Sequence, residues 1–460
     1  MRKLTLLLFF FWSVSASAQN FTEDSLFIKR ISNNILSSDE AYNNLWYLCK
    51  KIGARLSGSP QMVKAEKWGL ETFKKYGANT WLQECIVPHW VRGGRDTATA
   101  TYTINGNKQT LPLHVLALGN SMGTGAKGVR AEVVVVKSYE DLEAKKEQLK
   151  GKIVFYDVPF DDTLINPFEA YGKYAGYRGT GASRAAKYGA VAVMVRSMSN
   201  STDNYPHTGS LRYLDSTQKI PAVAIGLRDV KKLSDVMAGG TTVSAFIQTN
   251  GKFFPDTIGH NVIAELKGSE FPDQYITIGG HLDSWDPAEG AHDDGAGCVH
   301  TIEVFRALKE LGYQPKHSIR FVLFANEENG LRGGTKYAEE AKAKGEKHIF
   351  ALESDEGGFT PRGFGLSVND TAWNKIQQWK TLFEPYHVYE WKRGGGGADI
   401  GPLARNLNTP VAGFIPDAQR YFDHHHAAND VFEAVNIREL KLGAINIAAL
   451  IYLIDKYGLQ

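Results

Sequence analysis

The second half of the chain alternates short apolar strands with helical segments, and this alternation restricts the fold more than any other feature of the sequence. Strands are predicted over residues 275–278, 319–324, 348–352 and 411–415, and helices over 295–311, 331–344, 371–383 and 436–457. Such an alternation of strands and helices predicts an α/β fold, a three-layer sandwich with a mostly parallel central sheet. In sheets of this kind, ligands bind beyond the carboxyl ends of the strands.

Five clusters of histidine and acidic residues follow these strands or open the helices after them. A single pair of acids is most often solvated surface charge, and one His-x-Asp alone is a weak signal. Together, several such clusters at strand ends are difficult to explain as packing. The clusters are His281 with Asp283, His292 with Asp293 and Asp294, Glu327 with Glu328, Glu353 with Asp355, and the run His424, His425 and His426.

The chemistry of these clusters predicts a metal site. Neutral imidazole and carboxylate oxygens suit zinc better than magnesium, and the set is large enough for two zinc ions. Glu327 and Glu328 directly follow a buried strand, so one is expected to bind metal and the other to act as a general base. Asp283 stands two residues after His281 and is expected to accept the second ring N–H of that histidine.

The region from residue 115 to 250 has a different character. It contains its own compact strands and a helix but no clustered ligands, which predicts an inserted α+β domain. The chain is thereby divided into a leader at 1–18, a first part of the main domain at 19–114, the insert at 115–250, and the ligand-bearing part at 251–460.

The first 18 residues have the pattern of a secretory signal peptide, with Arg2 and Lys3 before a short apolar run and a small-residue end. The run is too short for a bilayer, which takes roughly 20 residues, so we expect an exported protein, periplasmic or secreted. The formal charge is +2 and falls to 0 without the two leader cations, which argues against nucleic acid or membrane partners. A Cys49–Cys85 disulfide stays open, whereas Cys298 is expected to be a buried thiol.

With these motifs in view, the chain resembles the co-catalytic zinc exopeptidases of the aminopeptidase Y and glutamate carboxypeptidase type, and within them the carboxypeptidase Q branch. The resemblance covers nearly the whole chain, and the insert is similar to a protease-associated domain. It implies the zinc exopeptidase fold, two zinc ions per chain, a peptide substrate and a homodimer. It also implies that 19–114 and 251–460 form one catalytic peptidase domain.

The resemblance further implies a role for each site residue. Glu327 would be the general base toward a zinc-bridging water, and a cis peptide would join Asp293 to Asp294. His426 is chosen from its run because it stands four residues before Asp430, so His424 and His425 are not expected to bind metal. His292 is either an additional supporting group or without a role. The implied zinc ligands are His281 and Asp355 for one ion, Glu328 and His426 for the other, and Asp293 between them.

Two other functions remain open on the sequence. One is a glutaminyl-cyclase-like acyltransferase with a single zinc, which needs only three protein ligands. The other is a non-catalytic, receptor-like module of the same fold that has lost ligands. The peptidase interpretation is favoured because all five ligand positions are present. The sequence leaves the preferred peptide terminus undetermined, since aminopeptidases, carboxypeptidases and dipeptidases share this metal site.

Overall fold

The computed structural model describes residues 21–215 and 217–460, so the predicted leader lies outside the described residues. Sixteen strands are formed in the described part of the chain. They are β1 Asn79–Val91, β2 Thr97–Ile104, β3 Asn107–Leu113, β4 Val115–Ala117, β5 Val129–Val136, β6 Ile153–Tyr156, β7 Ala192–Arg196, β8 Ala222–Ile225, β9 Val243–Gln248, β10 Lys252–Leu266, β11 Phe271–His281, β12 His317–Phe324, β13 Lys347–Glu353, β14 Pro361–Ser367, β15 Glu390–Arg393 and β16 Val411–Pro416.

The α-helices of the same described residues lie before the first of these strands, between them and after the last of them. They are α1 Thr22–Leu36, α2 Glu40–Tyr47, α3 Pro60–Lys75, α4 Tyr139–Ala144, α5 Pro167–Gly179, α6 Gly181–Ala186, α7 Leu227–Ala238, α8 Ala296–Glu310, α9 Arg332–Ala343, α10 Asp370–Gln377, α11 Lys380–Phe383, α12 Gly401–Leu407, α13 Tyr421–His424 and α14 Ile437–Tyr457. Short 3₁₀ or π turns cover Leu48–Ile52, Lys146–Gln148, Ala291–Gly295, Glu384–Tyr386, Ala418–Arg420 and Phe432–Ala434.

The first sheet has eight strands in the order β1-β10-β12-β11-β13-β16-β14-β15. Its four central strands, from β12 to β16, are mutually parallel, while β1, β10 and β14 pair antiparallel with their inner neighbours. The predicted mostly parallel centre is therefore confirmed. Because β11, β12 and β13 run in the same direction, their carboxyl ends meet at one edge of the sheet.

Helices cover both faces of this sheet, which gives the predicted three layers. Along β12, Phe321 and Leu323 pack into the core formed with α1, α8 and α14, while Val322 and Phe324 pack with α9 and α12. Successive side chains of a strand point to opposite faces, so a strand buried on both sides is mostly apolar. This is why β12 was recognisable from the apolar run at 321–324, although it also contains the buried, ion-paired Arg320.

Helix α14 is buried over most of its length, from Leu440 to Asp455. Its first turn is capped by Asn436, whose side-chain oxygen accepts the backbone N–H groups of Arg438 and Glu439. The helix ends before Gly458, which has a φ of +65° and so adopts a left-handed conformation that suits glycine. Its apolar side chains pack against the central strands and α8 in the main core.

The second sheet also has eight strands, in the order β3-β2-β9-β5-β6-β7-β8-β4. It combines a parallel set, β5 to β8, with antiparallel strands at both sides. The sheet begins at Thr97 and ends at Gln248, so it includes two strands that precede residue 115. The insert limits of 115 and 250 stay a prediction.

Cys49, Cys85 and Cys298 are all free and buried. The expected buried thiol at Cys298 is confirmed, and the disulfide that the sequence left open between Cys49 and Cys85 is not formed. Within residues 21–215 and 217–460, no helix has the length and apolar character needed to cross a membrane.

Candidate metal centre

The first group of possible ligands lies where β11 and β13 end. His281 is the last residue of β11, and Asp355 follows β13 by two residues. Nε2 of His281 lies 3.2 Å from Oδ1 of Asp293 and 3.2 Å from Oδ1 of Asp355. The ligand atoms of these three residues all fall within 4.8 Å of one another. The structure therefore brings together three residues that span 74 positions of the chain, from His281 to Asp355.

The second group shares Asp293 with the first. Nε2 of His426 lies 3.2 Å from Oδ2 of Asp293 and 3.2 Å from Oε2 of Glu328. Each carboxylate oxygen of Asp293 thus faces a different histidine, while Oε1 of Glu328 accepts the backbone N–H of Trp285 at 3.1 Å. A carboxylate facing two ligand groups is the arrangement that can hold two cations close together.

The three histidines of the run take different positions relative to the two ligand groups. His424 lies away from both groups, with Nδ1 3.1 Å from the carbonyl oxygen of Asn429. His425 is much nearer than expected, because its ring stacks on that of His426 at 3.5 Å and its Nε2 lies 4.0 Å from Asp293. Its ligand atom falls within 4.8 Å of those of Asp293 and His426. The selection of His426 stays a prediction, supported by its shorter contacts.

Asp283 contacts the His281 ring through its main chain rather than through its carboxylate, as had been expected. Nδ1 of His281 lies 3.0 Å from the backbone carbonyl of Asp283, and 3.7 Å from its carboxylate. The expected hydrogen bond from the ring to the carboxylate is therefore replaced by one to the main chain. The carboxylate instead accepts the backbone N–H of Glu327 at 3.0 Å and the hydroxyl of Ser57 at 3.3 Å. Asp283 consequently links His281 to Glu327.

The turn between β11 and α8 is held by two further acids. The peptide between Asp293 and Asp294 is cis, as the resemblance implied. Oxygens of Asp294 accept the backbone N–H groups of His281 and Gly297, each at 2.9 Å. Asp430 accepts those of His292 and Asp293 at 2.8 and 3.1 Å. Both acids orient the backbone around Asp293 and are occupied as acceptors.

His292 is a packing residue. Its ring stacks on Phe359 with centroids 4.0 Å apart and 5° between the planes. Nδ1 accepts the backbone N–H of Gly358, and Nε2 lies 3.3 Å from the carbonyl of Ala434. Burial lowers the pKa of His292 to about 3, so this ring is neutral.

The part of the chain that carries the second sheet, residues 97–248, contacts the metal centre directly and is called the second sheet region. The backbone N–H of Thr208 donates to the carbonyl of His426 at 3.0 Å. Nδ1 of His426 lies 3.1 Å from the Thr208 carbonyl, which accepts its proton and leaves Nε2 available as a ligand atom. One residue earlier, Nδ1 of His207 lies 2.8 Å from the carbonyl of His425. Nothing in local sequence patterns predicts this pairing, because the two segments are 218 positions apart.

A cavity of about 630 Å³ opens onto these ligands. One side is lined by the acidic and histidine side chains, including Glu327, and the other by residues from the second sheet region, including Tyr171 and Arg178. Burial and the charges of Asp355 and Asp283 raise the pKa of Glu327 to about 8. Glu327 is thus an acid with a raised pKa at the wall of the cavity in the metal-free structure.

The donor set fits divalent cations. Burial raises the pKa values of Glu328 and Asp355, and the nearby charge of Asp293 raises both further. Buried carboxylates that repel one another are stabilised when a cation lies between them. Two imidazoles and three carboxylates at these distances match the chemistry of zinc ligands.

Comparison with known proteins identifies the family. The profile of peptidase family M28 matches residues 261–451, which include all the predicted ligands. Mouse carboxypeptidase Q is 32% identical over 417 residues, covering 90% of this chain and 86% of that protein. The human protein of the same name is 31% identical over 422 residues, covering 92% of this chain and 85% of the relative.

The chain belongs to peptidase family M28. As an M28 protein it is a metallopeptidase, and the resemblance stated from the sequence is confirmed. A solved M28 peptidase precursor from Shewanella amazonensis SB2B has a TM-score of 0.90 and 32% identity, and covers 96% of this chain and 99% of its own. The zinc aminopeptidase of Bacillus subtilis shares the fold, with a TM-score of 0.63 and 21% identity. The match covers 90% of this chain and 94% of the aminopeptidase.

Proposed function

We propose that this M28 protein is an exported exopeptidase that uses two zinc ions to hydrolyse dipeptides or short peptides. The observation that carries the proposal is the position of Asp293, whose two oxygens each lie 3.2 Å from a different histidine Nε2. His281 and Asp355 would hold one ion, His426 and Glu328 the other, and Asp293 both. Export is supported by the signal-peptide pattern of residues 1–18.

The chain's own residues then provide the proton transfers. When bound, the zinc ions would polarise the scissile carbonyl and acidify a water molecule. The carboxylate of Glu327 takes a proton from the attacking water and returns it to the nitrogen of the leaving amine. The hydrogen bond from its backbone N–H to Asp283 at 3.0 Å holds the residue beside His281.

A preference for short substrates is supported by the cavity. Its volume of about 630 Å³ is in the range of small-molecule sites rather than of long peptide grooves. Residues from both sheet regions line it, so the substrate would be surrounded on two sides. A cavity of this size admits the end of a peptide more readily than the middle of a long chain.

Metal counting together with a hydrolysis assay tests this proposal. We expect two zinc ions per chain by elemental analysis, and dipeptide hydrolysis that a chelator abolishes and added zinc restores. One zinc per chain would indicate the glutaminyl-cyclase-like acyltransferase instead. The absence of chelator-sensitive hydrolysis of any dipeptide would indicate a non-catalytic module. A panel of dipeptides with free or blocked termini then identifies the terminus that is required.

A further inference from the structure

A second, smaller cavity of about 350 Å³ lies beside the main cavity that opens onto the metal ligands. Phe168 lines both of them, so its half-buried ring forms part of the wall between the two. We call the smaller one the side cavity. Ile165 and Phe168 line it from the second sheet region, while Glu356 and Ile415 line it from the part of the chain that carries the first sheet.

The side cavity has one negative charge that no cation neutralises. Its charged side chains are three acids and two bases. Arg362 pairs with Asp417 at 2.5 Å, and Lys392 pairs with Glu390 at 2.7 Å. Glu356 is the remaining acid, and within residues 21–215 and 217–460 its carboxylate has neither a hydrogen bond nor an ion pair.

A half-buried carboxylate without a partner indicates a cationic ligand from outside the chain, because taking a charge out of water is costly unless it is paired. A divalent metal ion takes several ligand atoms, whereas the other two acids of the side cavity are already held in ion pairs. An organic ammonium group needs only one carboxylate. The apolar side chains of Ile165 and Ile415 suit the aliphatic stem that carries such a group in a long cationic side chain.

The side cavity is close enough to the metal centre to receive part of a substrate. Glu356 directly follows Asp355, a predicted zinc ligand, so their Cα atoms are about 3.8 Å apart. Asp355 lines the main cavity and Glu356 the side cavity. A free α-ammonium is fixed to the peptide main chain beside the metal ligands and stays in the main cavity. A lysine side chain extends four methylene groups from its Cα, and this length allows its end to pass Phe168.

We propose that the side cavity is a specificity pocket for a cationic side chain of the substrate, with Glu356 binding its terminal ammonium group. The proposal rests on the proposed function and gives it a substrate class, namely dipeptides or short peptides with lysine next to the scissile bond. The second sheet region then takes part in specificity, because Ile165 and Phe168 form one wall of the pocket.

The test compares dipeptides that differ by a single ammonium group. Norleucine has the lysine stem without the ammonium, so Lys-Ala is compared with norleucyl-alanine, and Ala-Lys with alanyl-norleucine. In wild type we expect kcat/KM to favour lysine about 10- to 100-fold in one of the two positions, the size of a hydrogen bond to a charged group. In Glu356→Gln this preference falls to about threefold or less, while norleucine dipeptides stay within about twofold of wild type.

Reversing the charge gives a readout that a purely structural role of Glu356 would not produce. Glu356→Lys should favour a glutamate dipeptide over the lysine dipeptide at the same position, since like charges repel and opposite charges attract. Glu169→Gln is the matched control, because Glu169 is exposed next to Phe168 and lines neither cavity. It keeps the wild-type preference.

The preference is a ratio of two rates on one protein sample, so it does not depend on the fraction that is folded or loaded with zinc. Equal hydrolysis of lysine and norleucine dipeptides at both positions by wild type would overturn the inference while the proposed function stands. A lysine preference that persists in Glu356→Gln would overturn it too, and would show that Glu356 only supports Asp355. If wild type shows no chelator-sensitive hydrolysis of any dipeptide, the proposed function fails as well.

Discussion

Thr208 and His426 hold each other by two reciprocal hydrogen bonds, one between their backbones at 3.0 Å and one from the imidazole Nδ1 to the Thr208 carbonyl at 3.1 Å. A carbonyl that accepts the ring proton sets both the tautomer and the direction of a ligand histidine. In this protein that carbonyl comes from the second sheet region. The region is therefore tied to the candidate metal centre by direct contact.

Substitution of Glu327 separates proton transfer from metal binding. We expect Glu327→Gln to retain two zinc ions and to lose about 10²- to 10⁴-fold in kcat, the usual contribution of a general base. Elemental analysis and dipeptide hydrolysis provide the two measurements. Glu339→Gln, at an exposed position of α9, keeps full activity as the control. Turnover near the wild-type level in metal-loaded Glu327→Gln would contradict the assignment of the base.

The two stacked histidines are distinguished by replacing each with phenylalanine, which preserves most of the ring packing. His426→Phe should lose one of the two zinc ions, because its Nε2 lies 3.2 Å from both Asp293 and Glu328. His425→Phe should keep both, since its Nε2 lies 4.0 Å from Asp293. Zinc content after removal of free metal is the measurement. The opposite pattern would transfer the ligand role to His425.

Asp283 is expected to act by orienting its neighbours. Asp283→Asn keeps an acceptor for the Glu327 N–H but removes the negative charge 3.7 Å from the His281 ring. We expect kcat to fall about 10- to 100-fold with both zinc ions bound, the usual effect of losing a group that supports metal ligands. Asp273→Asn, at the exposed start of β11, is the control. Activity unchanged from wild type would remove Asp283 from the site.

The stability of the first sheet should depend on pH through Glu346. Burial raises the pKa of this carboxyl, but hydrogen bonds from His348 and Arg320 outweigh that effect and lower the pKa to about 2. A lowered pKa stabilises the folded state at pH values above the ordinary range of a glutamate. This stabilisation is lost as the pH falls from about 4.5 toward 2, by an amount on the order of 2 kcal/mol.

Urea denaturation of chelator-treated protein at pH 5 and pH 3 measures this effect without a contribution from zinc release. Glu346→Gln should show a smaller loss of unfolding free energy between the two pH values than wild type. Glu339→Gln should behave like wild type, because that side chain is exposed. Identical pH dependence in wild type and Glu346→Gln would rule out the contribution of the Arg320–Glu346–His348 cluster.

Much of the first sheet was predictable because its central strands are buried on both faces. The expected strand at 319–324 lies within β12, and the expected helix at 436–457 matches α14 within one residue. Strand β10 was not predicted individually, since the first half of it, from Lys252 to Thr257, is largely exposed and polar or aromatic in composition. Its pairing with β1 decides its conformation, and that pairing is non-local.

The sequence by itself determined the family, the chemistry of the ligands and their meeting place, because the carboxyl ends of parallel strands converge on one sheet edge. The predicted ligands His281, Asp293, Glu328 and Asp355 came from the family resemblance together with that rule. Only the tertiary structure decided that His425 stacks beside His426, that a main-chain carbonyl faces the His281 ring, and that Thr208 and Arg178 reach the site. These contacts join segments up to 248 positions apart, and they depend on how two sheets pack, which local patterns do not encode.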